Sequence, residues 1–169
     1  LLPMKPPDPP CDPPIFWWGD WDSDPTQWSN VAFTDGSGMW SSQPEIRACG
    51  WGVVQLSSSG TPLRACYGRL GGASQTVGEA ERVAFLRALE KIPSLQVVVT
   101  DLLGLAQEAQ EWSSECEGPG ASHAAVWRQI RDVVRSRGGA PPAAHWCPAH
   151  RDLVEAALAT PESGPPFIY

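Results

Sequence analysis

The sequence predicts an α/β domain with a mixed five-stranded sheet flanked by helices: three antiparallel strands, then strands four and five parallel to the first. Three observations carry that expectation. Two apolar runs, Ala48 to Leu56 and Pro62 to Leu70, flank a Ser/Gly/Thr turn, the pattern of a hairpin. "SQTVGEAERVAFLRALEKIP" then repeats apolar residues at helical spacing. "LQVVVTD" is an unbroken β-branched run of the kind found in strands buried on both faces, commonly parallel ones.

The elements follow in order. Residues 1–27 hold the run "LLPMKPPDPPCDPP" and eight of the 18 prolines of the chain fall in its first 30 residues, so this part reads as a Pro/Trp-rich leader or linker outside the core. Its tryptophans Trp17, Trp18 and Trp21, with Trp28 just beyond, are expected to cover an apolar patch or to serve a partner. A domain over residues 28–160 and a C-terminal tail over 161–169 complete the division. Val31 to Thr34 is the first strand, and the hairpin supplies the second and third. Thr76 followed by Glu79 is a capping box, which starts the first helix near Val77, and Pro93 ends it. After the fourth strand, "LLGLAQEAQEW" is a second helix, Glu115 to Ser122 a loop, and "HAAVWRQIRDVVRSRGG" a third helix closed by Gly138 and Gly139. "AAHWC" is the last strand, and "RDLVEAALA" begins a fourth helix.

Composition narrows the function. At 169 residues and 42% hydrophobic, the chain builds one core. No apolar run is long enough to span a bilayer and no signal-peptide pattern is present, which points to a soluble intracellular protein, cytoplasmic or nuclear. Five scattered cysteines without a CxxC make no disulfide framework. The chain begins with Leu, stops at "GPPFIY", and reads as a fragment of something longer. A net charge of −7 with only two lysines speaks against nucleic-acid binding unless arginines cluster or metal ions neutralise the acidic side.

Both conditions have candidates. Asp35 in "VAFTD" and Asp101 in "VVVTD" each follow an apolar strand, where neighbouring strand ends of an α/β sheet gather reactive groups. Taken singly, Asp35 reads as the start of the Gly-Ser-Gly turn and Asp101 as the N-cap of a helix at Leu102. Glu81 changes the balance. It shares a helical stripe with Ala84, Phe85, Ala88 and Leu89, and a carboxylate on that apolar face needs a metal or partner to compensate it. Three converging carboxylates with no basic cluster beside them call for a divalent cation, and oxygen ligands suit Mg²⁺ or Mn²⁺. Arg128, Arg131 and Arg135 lie along one side of the third helix, a layout for backbone phosphates. A solvated face is the alternative, because Asp132 sits among them. His145, Cys147 and His150 resemble part of a zinc site but lack a fourth ligand.

"FTDGSG" with "CGWGVV", then "QTVGEAERVAFLRALE", "VVVTDLLGL" and "WCPAH" resemble, in order and spacing, the type 1 ribonuclease H domain over Asn30 to Asp152. The likeness is greatest to the ribonuclease H segments of retroelement polyproteins. It implies hydrolysis of the RNA strand of RNA·DNA hybrids with two Mg²⁺ or Mn²⁺ ions roughly 4 Å apart. The resemblance places Asp35, Glu81 and Asp101 as metal ligands and catalytic residues, and His150 as the histidine that assists proton transfer and product release. It also implies that Gly36, Ser37 and Gly38 let the backbone approach a sugar edge, where the 2′-hydroxyl marks RNA, and that other domains of a polyprotein are partners. The family carries a fourth carboxylate after the histidine. Thr160 stands in that region here, and Asp152 and Glu155 have another spacing. The alternative is therefore a catalytically weak or inactive module that keeps the fold for structural or tethering purposes.

Overall fold

Strict alternation makes the central strand. In β3 (Ala48–Leu56) every second residue is buried, with Cys49, Trp51, Val53 and Gln55 turned inward. The computed structural model describes residues 13–39, 47–72, 75–111, 114–118 and 120–148. Around β3 lie β1 (Ile15–Gly19), β2 (Val31–Met39), β4 (Pro62–Arg69), β5 (Val97–Thr100) and β6 (Ala143–Trp146), in the sheet order β1-β4-β3-β2-β5-β6. β2, β3 and β4 pair antiparallel, while β5 and β6 run parallel to β2. This is the mixed sheet expected from sequence, with one strand more.

The extra strand is a correction. Residues 1–27 were expected outside the core, yet Ile15–Gly19 pairs with β4 as an antiparallel edge. Ile15, Trp21 and Trp28 pack on the core cluster. The indole of Trp21 donates to the carbonyls of Trp18 and Ala65 at 3.0 and 3.1 Å. Arg64, buried, donates through Nη1 to Gln55 Oε1 at 3.0 Å and through Nε to the Asp20 carbonyl at 2.8 Å, and its guanidinium lies 4.3 Å from the centre of the Trp28 ring. Four apolar residues behind a proline run have no periodicity of their own, so only the free edge of β4 gives them a place.

Three helices are described: α1 (Val77–Lys91), α2 (Leu103–Gln110) and α3 (Ala124–Ser136). Thr76 caps α1 as its hydroxyl accepts the Glu79 N–H at 3.2 Å. Ala84, Phe85, Ala88 and Leu89 of α1 join Trp51 and Val53 of the sheet and Trp127 and Ile130 of α3 in one core. A half-buried ion pair staples the three helices: Arg82 Nε donates to Glu108 Oε2 at 2.9 Å, and the Trp127 indole donates to the same oxygen at 2.8 Å. α3 ends in Gly138 and Gly139, both at positive φ, as the sequence predicts. The predicted loop before it contains a short 3₁₀ turn, Ser114–Glu117. The expected fourth helix after Arg151 lies outside the described residues. No helix among the described residues is long and apolar enough to cross a membrane.

Arg137 closes the end of α1. Its guanidinium donates to the carbonyls of Leu89 and Ile92 at 2.5 and 3.0 Å and to those of Pro93 and Leu95 at 2.7 and 3.2 Å. Leu89 lies in the last turn of α1, whose carbonyls a helix leaves without partners, and the other three belong to the segment that follows. Arg137→Ala is expected to lower the unfolding free energy by about 2–3 kcal/mol, measured by urea denaturation. Arg137→Lys should recover only part of the loss, because one ammonium lacks the planar fork.

Candidate metal centre

The two Thr-Asp dipeptides of the sequence are in register. Thr34 of β2 faces Thr100 of β5 at the last pair of their parallel ladder. β5 stops there, whereas β2 runs on beside β3 with Asp35 opposite Gly52. The first strand was expected to end at Thr34. It continues to Met39, and only its parallel neighbour ends, which opens a notch flanked by Asp35 and Asp101.

The notch rests on two buried threonines, 5% and 1% exposed. Thr34 Oγ1 donates to the Val99 carbonyl at 3.4 Å, and Thr100 Oγ1 accepts the Leu102 N–H at 3.2 Å. The second bond matters for Asp101. The N-cap of α2 is Leu102, with no side-chain cap bond, so the Asp101 carboxylate has no capping role. The Trp146 indole donates to the Asp101 carbonyl at 3.0 Å and fixes the backbone there. Thr100 and Trp146 are positioning residues that sequence reasoning missed; the repeated "TD" was the available signal for the first, and nothing local pointed to the second.

Glu81 enters from α1 and is 3% exposed. It reaches the notch because Gly36 has no side chain. A Cβ at Gly36 would stand 2.6 Å from the Glu81 backbone nitrogen and 2.9 Å from its Cγ. Each of Asp35, Glu81 and Asp101 offers a carboxylate oxygen, and these oxygens lie within 4.8 Å of one another. Burial pushes the Glu81 carboxyl up to about 8; the Gly36 N–H opposes the rise, while the charges of Asp101 and Asp35 and a hydrogen bond with Asp101 add to it.

Glu81 Oε2 is buried without a hydrogen-bond partner. A buried glutamate with one orphaned oxygen, clustered with two more carboxylates, fits a hard divalent cation, for which oxygen-only donors are the preferred set. Gly36→Ala is expected to displace Glu81, weaken any divalent-cation binding at the cluster and destabilise the fold by about 1–3 kcal/mol. Calorimetric titration and thermal unfolding read the two effects separately.

The other residues singled out in the sequence are dispersed. Ser37 and Gly38 follow Asp35 on β2 and are exposed; a Cβ at Gly38 would lie 2.8 Å from Val77 Cγ2, so this glycine also admits α1. Arg128 and Arg135 are exposed on α3. Arg131 is half-buried and paired with Glu117 and, at 3.2 Å, with Asp132. His145 and Cys147 are described on and after β6, but among the described residues the acidic trio is the group of three or more metal-ligating side chains that come together. His150, Asp152, Glu155 and Thr160 lie outside the described residues.

No protein-family model matches the chain, and no curated protein matches it. Solved structures do. The foamy viral protease-reverse transcriptase in complex with dsDNA aligns at a TM-score of 0.57 and 22% identity, covering 81% of this chain and 92% of that one. LC11-RNase H1 in complex with an RNA/DNA hybrid aligns at 0.55 and 18%, covering 70% and 85%. The PFV RNase H domain in solution aligns at 0.54 and 20%, covering 71% and 79%. At these identities the likeness is one of fold, a ribonuclease H-like α/β fold with the sheet and helices described above.

Proposed function

We propose that this chain, built on a ribonuclease H-like fold, is an endoribonuclease that hydrolyses the RNA strand of RNA·DNA hybrids at Asp35, Glu81 and Asp101. The observation that carries the reading is the buried, unpartnered Oε2 of Glu81 in a cluster of three carboxylates. The solved relative LC11-RNase H1, crystallised with an RNA/DNA hybrid, supports the substrate class.

The reaction adds water across a phosphodiester: a bond forms between the water oxygen and phosphorus, the bond to the 3′ oxygen breaks, and that oxygen takes up a proton. Two bound divalent ions, Mg²⁺ or Mn²⁺, supply charge neutralisation, acidify the water and stabilise the leaving oxygen. The residues of the chain hold and orient. Asp35, exposed on the continuing strand, would hold metal together with Glu81 and Asp101. Glu81 is held from behind by Gly36 and Asp101 by the end of β5. His150 is assigned proton transfer and product release, Gly36 to Gly38 the approach to the ribose edge, and Arg128, Arg131 and Arg135 backbone phosphates. Arg131 must leave Glu117 to do so. Other domains of a polyprotein are proposed as partners.

A second reading rests on Thr160, which stands where the resembled family supplies its fourth carboxylate. On that reading the chain is a weakly active or inactive tethering module. Incubating the chain with labelled hybrid in Mg²⁺ and in Mn²⁺ separates the two: cleavage that depends on Asp35 supports the endonuclease, and its absence in both metals supports the module.

A further inference from the structure

The inward residues of β3, Cys49, Trp51 and Val53, face α1, and Arg64 and Cys66 of β4 lie on the same side of the sheet. The opposite face of these strands carries a different arrangement. Reading across the ladders, Asp35 lies opposite Gly52, Gly52 opposite Tyr67, and Tyr67 opposite Phe16, so the four share one row and one face. The next row holds Ser37, Gly50 and Arg69. Gly52 has open space where a Cβ would be, and at Gly50 the nearest atoms are a backbone oxygen at 3.3 Å and Ser37 Oγ at 3.5 Å. A trough floored by bare backbone therefore leads from the carboxylates to the rings of Phe16 and Tyr67.

Those rings stack on each other, 5.4 Å between centroids and 19° between planes, yet are 49% and 51% exposed. Trp18, in the adjacent row, is 54% exposed. At about 4.8 Å per strand, Tyr67 stands roughly 10 Å and Phe16 roughly 15 Å from Asp35. A protein partner or a second copy would seat on the rings alone and has no use for the trough. A flexible polyanionic strand leaving the carboxylates has a use for each part: among the described residues no side chain blocks its path over Gly52, Arg69 is exposed for a phosphate, Ser37 offers a hydroxyl, and flat rings wait for unpaired bases.

We propose that Phe16 and Tyr67 form a stacking platform for the unpaired bases of a single-stranded extension of the substrate, reached over Gly52 from the Asp35 side. The proposal rests on the endonuclease reading for its substrate, although the platform binds bases whether or not the chain cuts. Stacking tolerates any base and gains about tenfold in affinity per platform. It is also insensitive to salt, whereas phosphate binding falls steeply as salt rises.

The test is fluorescence anisotropy on the full chain in EDTA, with labelled RNA·DNA hybrids that are blunt or carry a short single-stranded RNA or DNA tail. The ratio of tailed to blunt affinity should be about ten at high salt, where the contact of Arg69 with a tail phosphate is screened, with the RNA and DNA arms showing which strand is held. Tyr67→Ala and Phe16→Ala should bring the ratio to about one, and Tyr67→Phe should keep it; circular dichroism checks that each variant folds. A ratio of one in the native chain overturns the proposal. So does a ratio that survives both alanine variants, one that vanishes with salt, or a native dimer that Tyr67→Ala dissociates. A chain that cuts no hybrid but binds a single-stranded probe through Tyr67 would retain the platform and refute the endonuclease reading.

Discussion

Asp35→Asn should leave the chain folded and reduce cleavage of a labelled RNA·DNA hybrid by at least about 10²–10³-fold. Asp35 is exposed, and its substitution opens no cavity in the core. It also removes one of the negative charges that hold Glu81 in its neutral form, so the metal-free variant should be as stable as the native chain or slightly more so. A simple folding defect would move stability the other way, and the pair of measurements separates the two explanations. Native cleavage is expected to be faster in Mn²⁺ than in Mg²⁺, because Mn²⁺ binds oxygen ligands such as the carboxylates of Asp35, Glu81 and Asp101 more tightly. If Asp35→Asn cuts at the native rate, the carboxylate cluster is not the site of hydrolysis. If neither metal supports cleavage by the native chain, the tethering reading takes its place.

The features legible in the sequence were those written locally. The two apolar runs of the β3–β4 hairpin, the Thr76 cap and the buried stripe of α1 are local patterns, and the structure reproduces them. The two "TD" dipeptides read as strand ends, which holds for β5 but not for β2, since β2 continues to Met39; their registration across the parallel ladder is what brings Asp35 and Asp101 to one notch. What stayed hidden was decided by tertiary partners. β1 exists because β4 has a free edge, and nothing in "IFWWG" distinguishes a strand from an apolar run in a linker. Gly36 reads as a turn glycine and serves instead as the gap through which Glu81 approaches. Arg131 and Arg137 look alike in the sequence, yet one is paired with Glu117 and the other clamps the end of α1.

Metal and pH should act on stability through Glu81 in a way that exposed acids cannot imitate. Its folded value of about 8 lies above its ordinary 4.5, so between those values the native chain holds a proton that the unfolded chain has released. Stability of the metal-free protein should therefore be fully present below about pH 4.5 and fall as pH rises toward 8, by a few kcal/mol in order of magnitude. A bound divalent ion replaces the proton, so saturating Mg²⁺ should flatten the profile, and the stabilisation it confers should grow with pH. His123 is held below its ordinary value by burial and by Arg82, which gives a contribution of the opposite sign below about pH 6.5. Glu81→Gln isolates the effect, since it keeps the His123 contribution and removes the carboxyl. Urea unfolding at a series of pH values, in EDTA and in Mg²⁺, is the measurement. The variant should lose both the fall above pH 6.5 and the response to Mg²⁺. A native profile that is already flat in EDTA, or a variant that keeps the native slope, would mean that Glu81 is not the group that exchanges its proton for the ion.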